Sequence, residues 1–174
     1  MTTTAGRWAA VTASVRGASH ERNGKPNQDA VRVVQAKGST PGLVAAVCDG
    51  HGGDRYVRSD VGSRLGVEVA CDIARRALEQ LVTLPDKSVL QAQLTGPLTE
   101  AIVQRWRERV LEDVRARPFN DEERTRARAP LDGDPLISYG CTLLLAILTP
   151  AWVGLLQIGD GDVTVVRGSS VESP

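Results

Sequence analysis

The sequence predicts an α+β domain with mainly antiparallel sheets. Segments with two-residue apolar alternation fall into an early group and a late group, and two long four-residue apolar repeats lie between them. The order is β-β-β, α-α, β-β-β, and strands segregated from helices in this way pack as antiparallel sheets. The composition agrees. A chain of 174 residues, 41% hydrophobic, with 21 basic against 21 acidic residues, suits one soluble globular domain over residues 1–174.

Residues 8–16, "WAAVTASVR", place Ala9, Val11, Ala13 and Val15 on one face and predict a first strand. "GASHERNGKPNQD" follows as a polar loop, and "AVRVVQ" is the second strand. "AKGSTPG" turns the chain into the third, "LVAAVCD". Val57, Val61, Leu65, Val69, Ile73 and Ala77 then recur every four residues, predicting an amphipathic helix from about Arg55 to Leu81. Leu98, Ile102, Trp106, Val110 and Val114 predict a second from Pro97 to Ala116, with proline suited to its first turn. Both helices are one-faced, so each is expected to lie on a sheet.

Residues 117–135 are charged and bounded by prolines, and read as a surface connector rather than a regulatory or substrate-binding flap. Two apolar strands follow, "SYGCTLLLAIL" and "AWVGLLQIG", and "GDGD" turns the chain into "VTVVR".

Neutral charge balance leaves no electrostatic footprint for nucleic acid or an anionic membrane. Thr149-Pro150 interrupts the longest apolar stretch, so no smooth membrane span is expected, and the N-terminus lacks the pattern of a signal peptide. Cys48, Cys71 and Cys141 form no CxxC pair and read as buried free thiols, which suits a cytoplasmic protein.

The chemistry concentrates at "AAVCDGHGGD", residues 45–54. Asp49 ends a strand inside a glycine cluster that lets ligands approach the main chain. A carboxylate beside the carbonyl of Gly50 is a hard oxygen donor set suited to Mg²⁺ or Mn²⁺. His51 places a proton donor or acceptor next to it. If the second and third strands pair as a hairpin, Asp29 lies at the same sheet end as Asp49, and the two form an acidic pocket that a divalent cation relieves. Asp160, in "IGDGDVTV", reads from spacing alone as part of a two-residue hairpin turn, and Asp162 as solvated. His20 reads as a surface loop histidine. No P-loop, no GxSxG elbow and no HExxH pair occurs.

In this order the segments resemble the metal-dependent protein phosphatases, the protein phosphatase 2C family, in a bacterial-type form. "GASHERNGKPNQDA" is similar to the family's first acidic motif, and "VAAVCDGHGG" to its most diagnostic one. "YGCTLLLAIL" with "VGLLQIGDGDVTVVR" is similar to its Gly-x-Thr strand and the Gly-Asp segment after it. The resemblance implies two packed antiparallel sheets flanked by helices, and hydrolysis of phosphoserine and phosphothreonine in a phosphorylated protein by a water activated by two divalent ions. It implies that Asp49 bridges two Mg²⁺ or Mn²⁺ ions, that the Gly50 carbonyl ligates one, and that Asp29 supports the second. His51 becomes the general acid, and Asp160 helps to hold a third ion.

Three departures from the family pattern stand out. Gln28 occupies a position usually held by glutamate, which is expected to weaken the second ion. The phosphate-binding arginine falls near Gly24, leaving Arg22 or Lys25 to substitute. The later Asp-Gly and Asp-Asn motifs have no counterpart, so the chain is expected to hold the N-terminal two-thirds of the domain. Activity would then depend on a complementing C-terminal segment, and unpaired sheet edges would favour a homo-oligomer. A catalytically inactive domain that binds a partner or phosphopeptide is the alternative of a different class, and another metal-dependent hydrolase on the same motif is a third reading.

Overall fold

Small and β-branched residues dominate 30–36 and 42–48, and both segments are strands in the computed structural model, which describes all residues except Met1, Gly6, Leu84, Arg128, Ala129, Asp132 and Pro174. Strand β3 (Ala30–Ala36) pairs antiparallel with β4 (Gly42–Cys48). Strand β4 pairs with β5 (Leu143–Leu148), and β5 with β6 (Val153–Ile158). The sheet order is β3-β4-β5-β6, leaving β3 and β6 at its edges. The antiparallel α+β class read from the sequence is the class observed.

Helix α2 (Ser59–Glu79) lies on β3 and β4, and α4 (Pro97–Ala116) packs on α2. Val44, Ala46 and Cys48 of β4, Leu143, Leu145 and Ile147 of β5, and Leu156 of β6 meet Val67, Ala70, Ala74 and Leu78 in the main core. Each fully buried Val or Leu contributes about 1.5–3 kcal/mol. The buried stripe of α2 departs from the expected one. Strict four-residue spacing drifts around a helix of 3.6 residues per turn, so Ala77 is exposed and Ala70, Ala74 and Leu78 carry the contact.

The N-terminal strand is shorter than its alternation suggests. Val11 and Val15 are both 80% exposed, so that pattern marks no buried face. Strand β2 is Trp8–Val11 and pairs with β1 (Thr2–Ala5) in a separate ribbon. The ribbon packs against β3 and β4, and Trp8 Nε1 donates to Thr149 O at 2.6 Å. Leu43 is fully buried although it is not part of the core beneath α2.

Further elements depart from expectation. The polar loop holds a short helix α1 (Ala18–Arg22), and helix α3 (Lys87–Thr95) precedes α4. The connector carries helix α5 (Asp121–Ala127) and a 3-10 turn (Pro135–Tyr139). It is no mere surface strap, because Phe119, Ala127 and Leu131 are buried with Val57, Leu65, Val110 and Tyr139 in a second core. Beyond Gly159 no hairpin returns along β6. Strand β7 (Val165–Arg167) pairs instead with β8 (Ser170–Glu172).

Candidate active site

Where β4 ends, Asp49 and the two residues after it are gripped by their main chains. Thr142 N donates to Asp49 O at 2.8 Å, and Asp49 N donates to Thr142 Oγ1 at 3.1 Å. His51 N donates to Gly140 O at 3.0 Å, and Gly50 N to Gln28 O at 3.2 Å. The β4–β5 register thus continues through a bridge between Gly50 and Cys141, whose acceptors are Asp49 O and Gly140 O. The carbonyl of Gly50 is not one of them.

Glycine is required at two of these positions by close approach. A Cβ on Gly50 would lie 2.5 Å from Gln28 O and 2.8 Å from Ser59 O. One on Gly140 would lie 2.7 Å from His51 Nδ1 and 3.1 Å from Tyr56 Cε1. The Asp-Gly-His, Gly-x-Thr and Asn-Gln-Asp segments are therefore one interlocked frame, and the reactive side chains stand out from it. His51 is exposed, with its ring 4.9 Å from that of Tyr56 at 54°.

Because Ala30 pairs with Cys48, Asp29 and Asp49 leave the sheet at the same end. Asp29 N is held by Asn27 Oδ1 at 3.2 Å, and Asp29 O accepts from Ser14 Oγ at 3.2 Å. Asp49 keeps an open side to solvent, yet its pKa is raised. Partial burial is the first cause, followed by the charge of Asp29, a hydrogen bond to it, and the charge of Asp160, with His51 opposing. Two carboxylates in contact need a proton or a cation between them. Among the described residues, no three His, Cys, Asp or Glu side chains close around a common point. The donor set of two paired carboxylates, a third nearby and a carbonyl outside the strand pairing nevertheless fits a hard divalent cation.

The remaining predicted residues divide. Gln28 is buried and does not join the acidic cluster. Its Nε2 donates to His51 O at 3.1 Å and to Ser59 Oγ at 2.5 Å, and its Oε1 is buried without a partner among the described residues. Its amide thus braces the loop's main chain. Lys25 lines a narrow cleft with Gly53, Asp54, Asp60 and Arg126, whereas Arg22 ends α1 as an exposed side chain. Asp160 lies in a bend after β6 rather than in a hairpin turn. His20 is tied to its own loop, with Nδ1 3.1 Å from Pro26 O.

Thr142, Ser59 and Tyr56 belong to the site and were not singled out individually in the sequence. Thr142 had a signal in its Gly-x-Thr context, while Ser59 and Tyr56 had none. Behind Asp49, the neighbouring Cys141 thiol and burial push the pKa of Cys48 far above the usual thiol range.

Residues 16–173 match the family described as Protein phosphatase 2C. The chain belongs to the protein phosphatase 2C family. All three motif segments fall inside that span, so the family's phosphatase fold accounts for the frame built around Asp49. No curated protein and no solved structure matches the chain. No described helix is long and apolar enough to cross a membrane.

Proposed function

We propose that this protein phosphatase 2C domain is a metal-dependent protein serine/threonine phosphatase using Mg²⁺ or Mn²⁺. The observation that carries the reading is the like-charged pair Asp29–Asp49, held at one sheet end with the pKa of Asp49 raised. Asp49, the Gly50 carbonyl and Asp29 are the residues that would hold two ions, and Asp160 would contribute to a third. Such ions, when bound, lower the pKa of a water and neutralise phosphoryl oxygens during in-line attack.

The chain's own residues supply the rest. Thr142 and Gln28 fix the Asp49–His51 main chain, so carboxylate and imidazole keep their spacing without their side chains being tied down. His51 stands exposed, where it can deliver a proton to the departing serine or threonine alkoxide, a poor leaving group unless protonated. Lys25, which shares a narrow cleft with Gly53, is favoured over the exposed Arg22 as the phosphate contact. Three cysteines without a disulfide support a cytoplasmic setting.

The test is phosphate release from phosphoserine and phosphothreonine peptides with and without Mn²⁺ or Mg²⁺. Cation-dependent release is expected, abolished by Asp49→Ala and lowered about 10²- to 10⁴-fold by His51→Ala. Release that needs no cation, or that survives Asp49→Ala, overturns the reading. Phosphopeptide binding without turnover under any of these conditions would assign the domain to the regulatory class instead.

A further inference from the structure

Cysteines 48 and 141 are distant in sequence and converge directly behind Asp49. Val47 pairs with Leu144 and Gly50 bridges Cys141, so Cys48 lies opposite Leu143 and diagonal to Cys141 on the same sheet face. That face meets α2 at Gly66. A Cβ there would lie 2.7 Å from Cys48 Sγ and 3.6 Å from Cys141 Sγ, so the missing side chain leaves room for both sulfurs. The two residues share a cavity of about 160 Å³ with Gly66, Ile102, Trp106 and Ile158. Cys48 is fully buried and Cys141 partly exposed, so only one of the two is open to a small reagent. The third thiol is elsewhere: Cys71 is fully buried and directed at Arg32 O, 3.5 Å away.

We propose that Cys48 and Cys141 form an oxidative modification site, closing to a disulfide behind Asp49 when the chain meets a peroxide. The sulfur of Cys141 attacks one oxygen of hydrogen peroxide, giving a sulfenic acid and one water. The Cys48 sulfur then displaces that hydroxyl, forming the S–S bond and a second water. Two thiols lose two electrons and two protons, and the peroxide is reduced.

The consequence follows from geometry. Diagonal neighbours in a regular sheet lie about 7–8 Å apart at Cα, whereas a disulfide needs Cα atoms about 4.4–6.8 Å apart. Closing the bond must therefore draw Cys141 toward Cys48. Its neighbours Gly140 and Thr142, which hold His51 and Asp49, move with it. A disulfide that distorts its surroundings is also readily reduced again. The effect on turnover rests on the phosphatase reading, but formation of the bond does not.

The experiment treats the reduced chain with hydrogen peroxide, alkylates it and maps its peptides without reduction. The expected product joins the Cys48 and Cys141 peptides within one chain, leaves Cys71 alkylated, and disappears with dithiothreitol. Cation-dependent turnover should fall about 10²-fold, the scale of a 1 Å misplacement, and return on reduction. Cys141→Ser should give neither the cross-link nor the loss. Sulfinic acid on Cys141 beside a free Cys48, or a disulfide between chains, overturns the site. A cross-link with unchanged turnover overturns the control of activity. A reduced chain without turnover overturns the phosphatase reading, while the peptide map still decides the site.

Discussion

Two charged clusters flank the start of α2, and they treat charge in opposite ways. In the first, buried Arg58 is matched on every side. It donates to Glu123 at 2.6 and 2.8 Å, to Tyr139 Oη at 2.8 Å, and to the carbonyls of Arg117 and Pro118, and its guanidinium lies 4.5 Å from the Phe119 ring. Tyr139 in turn donates to Asp113 at 2.6 Å. In the second, Asp49 feels the like charges of Asp29 and, more weakly, of Asp160, with His51 the opposing group. The first cluster cements the connector to the helices. The second keeps like charges together, the kind of perturbed carboxylate that the proposed metal site would use.

The sharpest way to break the contrast is Arg58→Ala. It leaves the carboxylates of Glu123 and Asp113 without their buried partner, and is expected to cost about 3–5 kcal/mol in chemical denaturation. A loss below about 1 kcal/mol would show that the cluster is no matched network.

Next comes the cation. Mn²⁺ at a hundred times its dissociation constant should stabilise the chain by about 2.7 kcal/mol, raising its Tm by about 5–10 °C. Asp49→Asn should abolish that rise, and an undiminished rise in the variant would move the ion elsewhere.

The pH dependence of the metal-free chain separates the clusters by sign. Arg58, the first cause, holds the Glu123 carboxyl below its ordinary value of 4.5. Its stabilisation is therefore full above that pH and is lost as pH falls through the folded pKa. Glu123→Gln should destabilise at pH 7, and the loss should shrink in acid. Asp49 is raised above its ordinary 3.8, so stability is lost as the pH rises from that value through the folded pKa, and the cost is full above it. Asp49→Asn should stabilise at pH 7, with the gain vanishing below about pH 3.8. Thermal melts across this range check both signs, and a shared sign would dissolve the distinction.

Smallest is Gln28→Leu. Losing its bonds to His51 O and Ser59 Oγ is expected to cost about 1 kcal/mol, since the variant also removes the unpartnered Oε1. Turnover should fall with little change in Mn²⁺ affinity, because Gln28 braces the loop rather than the carboxylates. A Mn²⁺ affinity that falls in step with turnover would return Gln28 to the metal site.

Much of the site was legible because its logic is local. Short apolar runs bounded by turn residues set β3 and β4, their antiparallel pairing brought Asp29 and Asp49 to one sheet end, and the glycines around His51 marked a crowded main chain. The connector misled because composition reports average polarity. Phe119 and Leu131 are buried by Tyr139 and Val57, and Glu123 is held by Arg58, 65 positions earlier. Helix α3 escaped notice because only Leu94 on it is buried, leaving almost no periodic signal.

The sequence by itself determined the candidate residues and the strand ends they occupy, since apolar runs and glycine placement are properties of neighbouring residues. Only the tertiary structure decided which partners Gln28, Thr142, Arg58 and the two cysteines 48 and 141 meet. Each acts through a partner remote in the chain, and hydrogen bonding, burial and charge pairing depend on distance in space rather than on position in sequence.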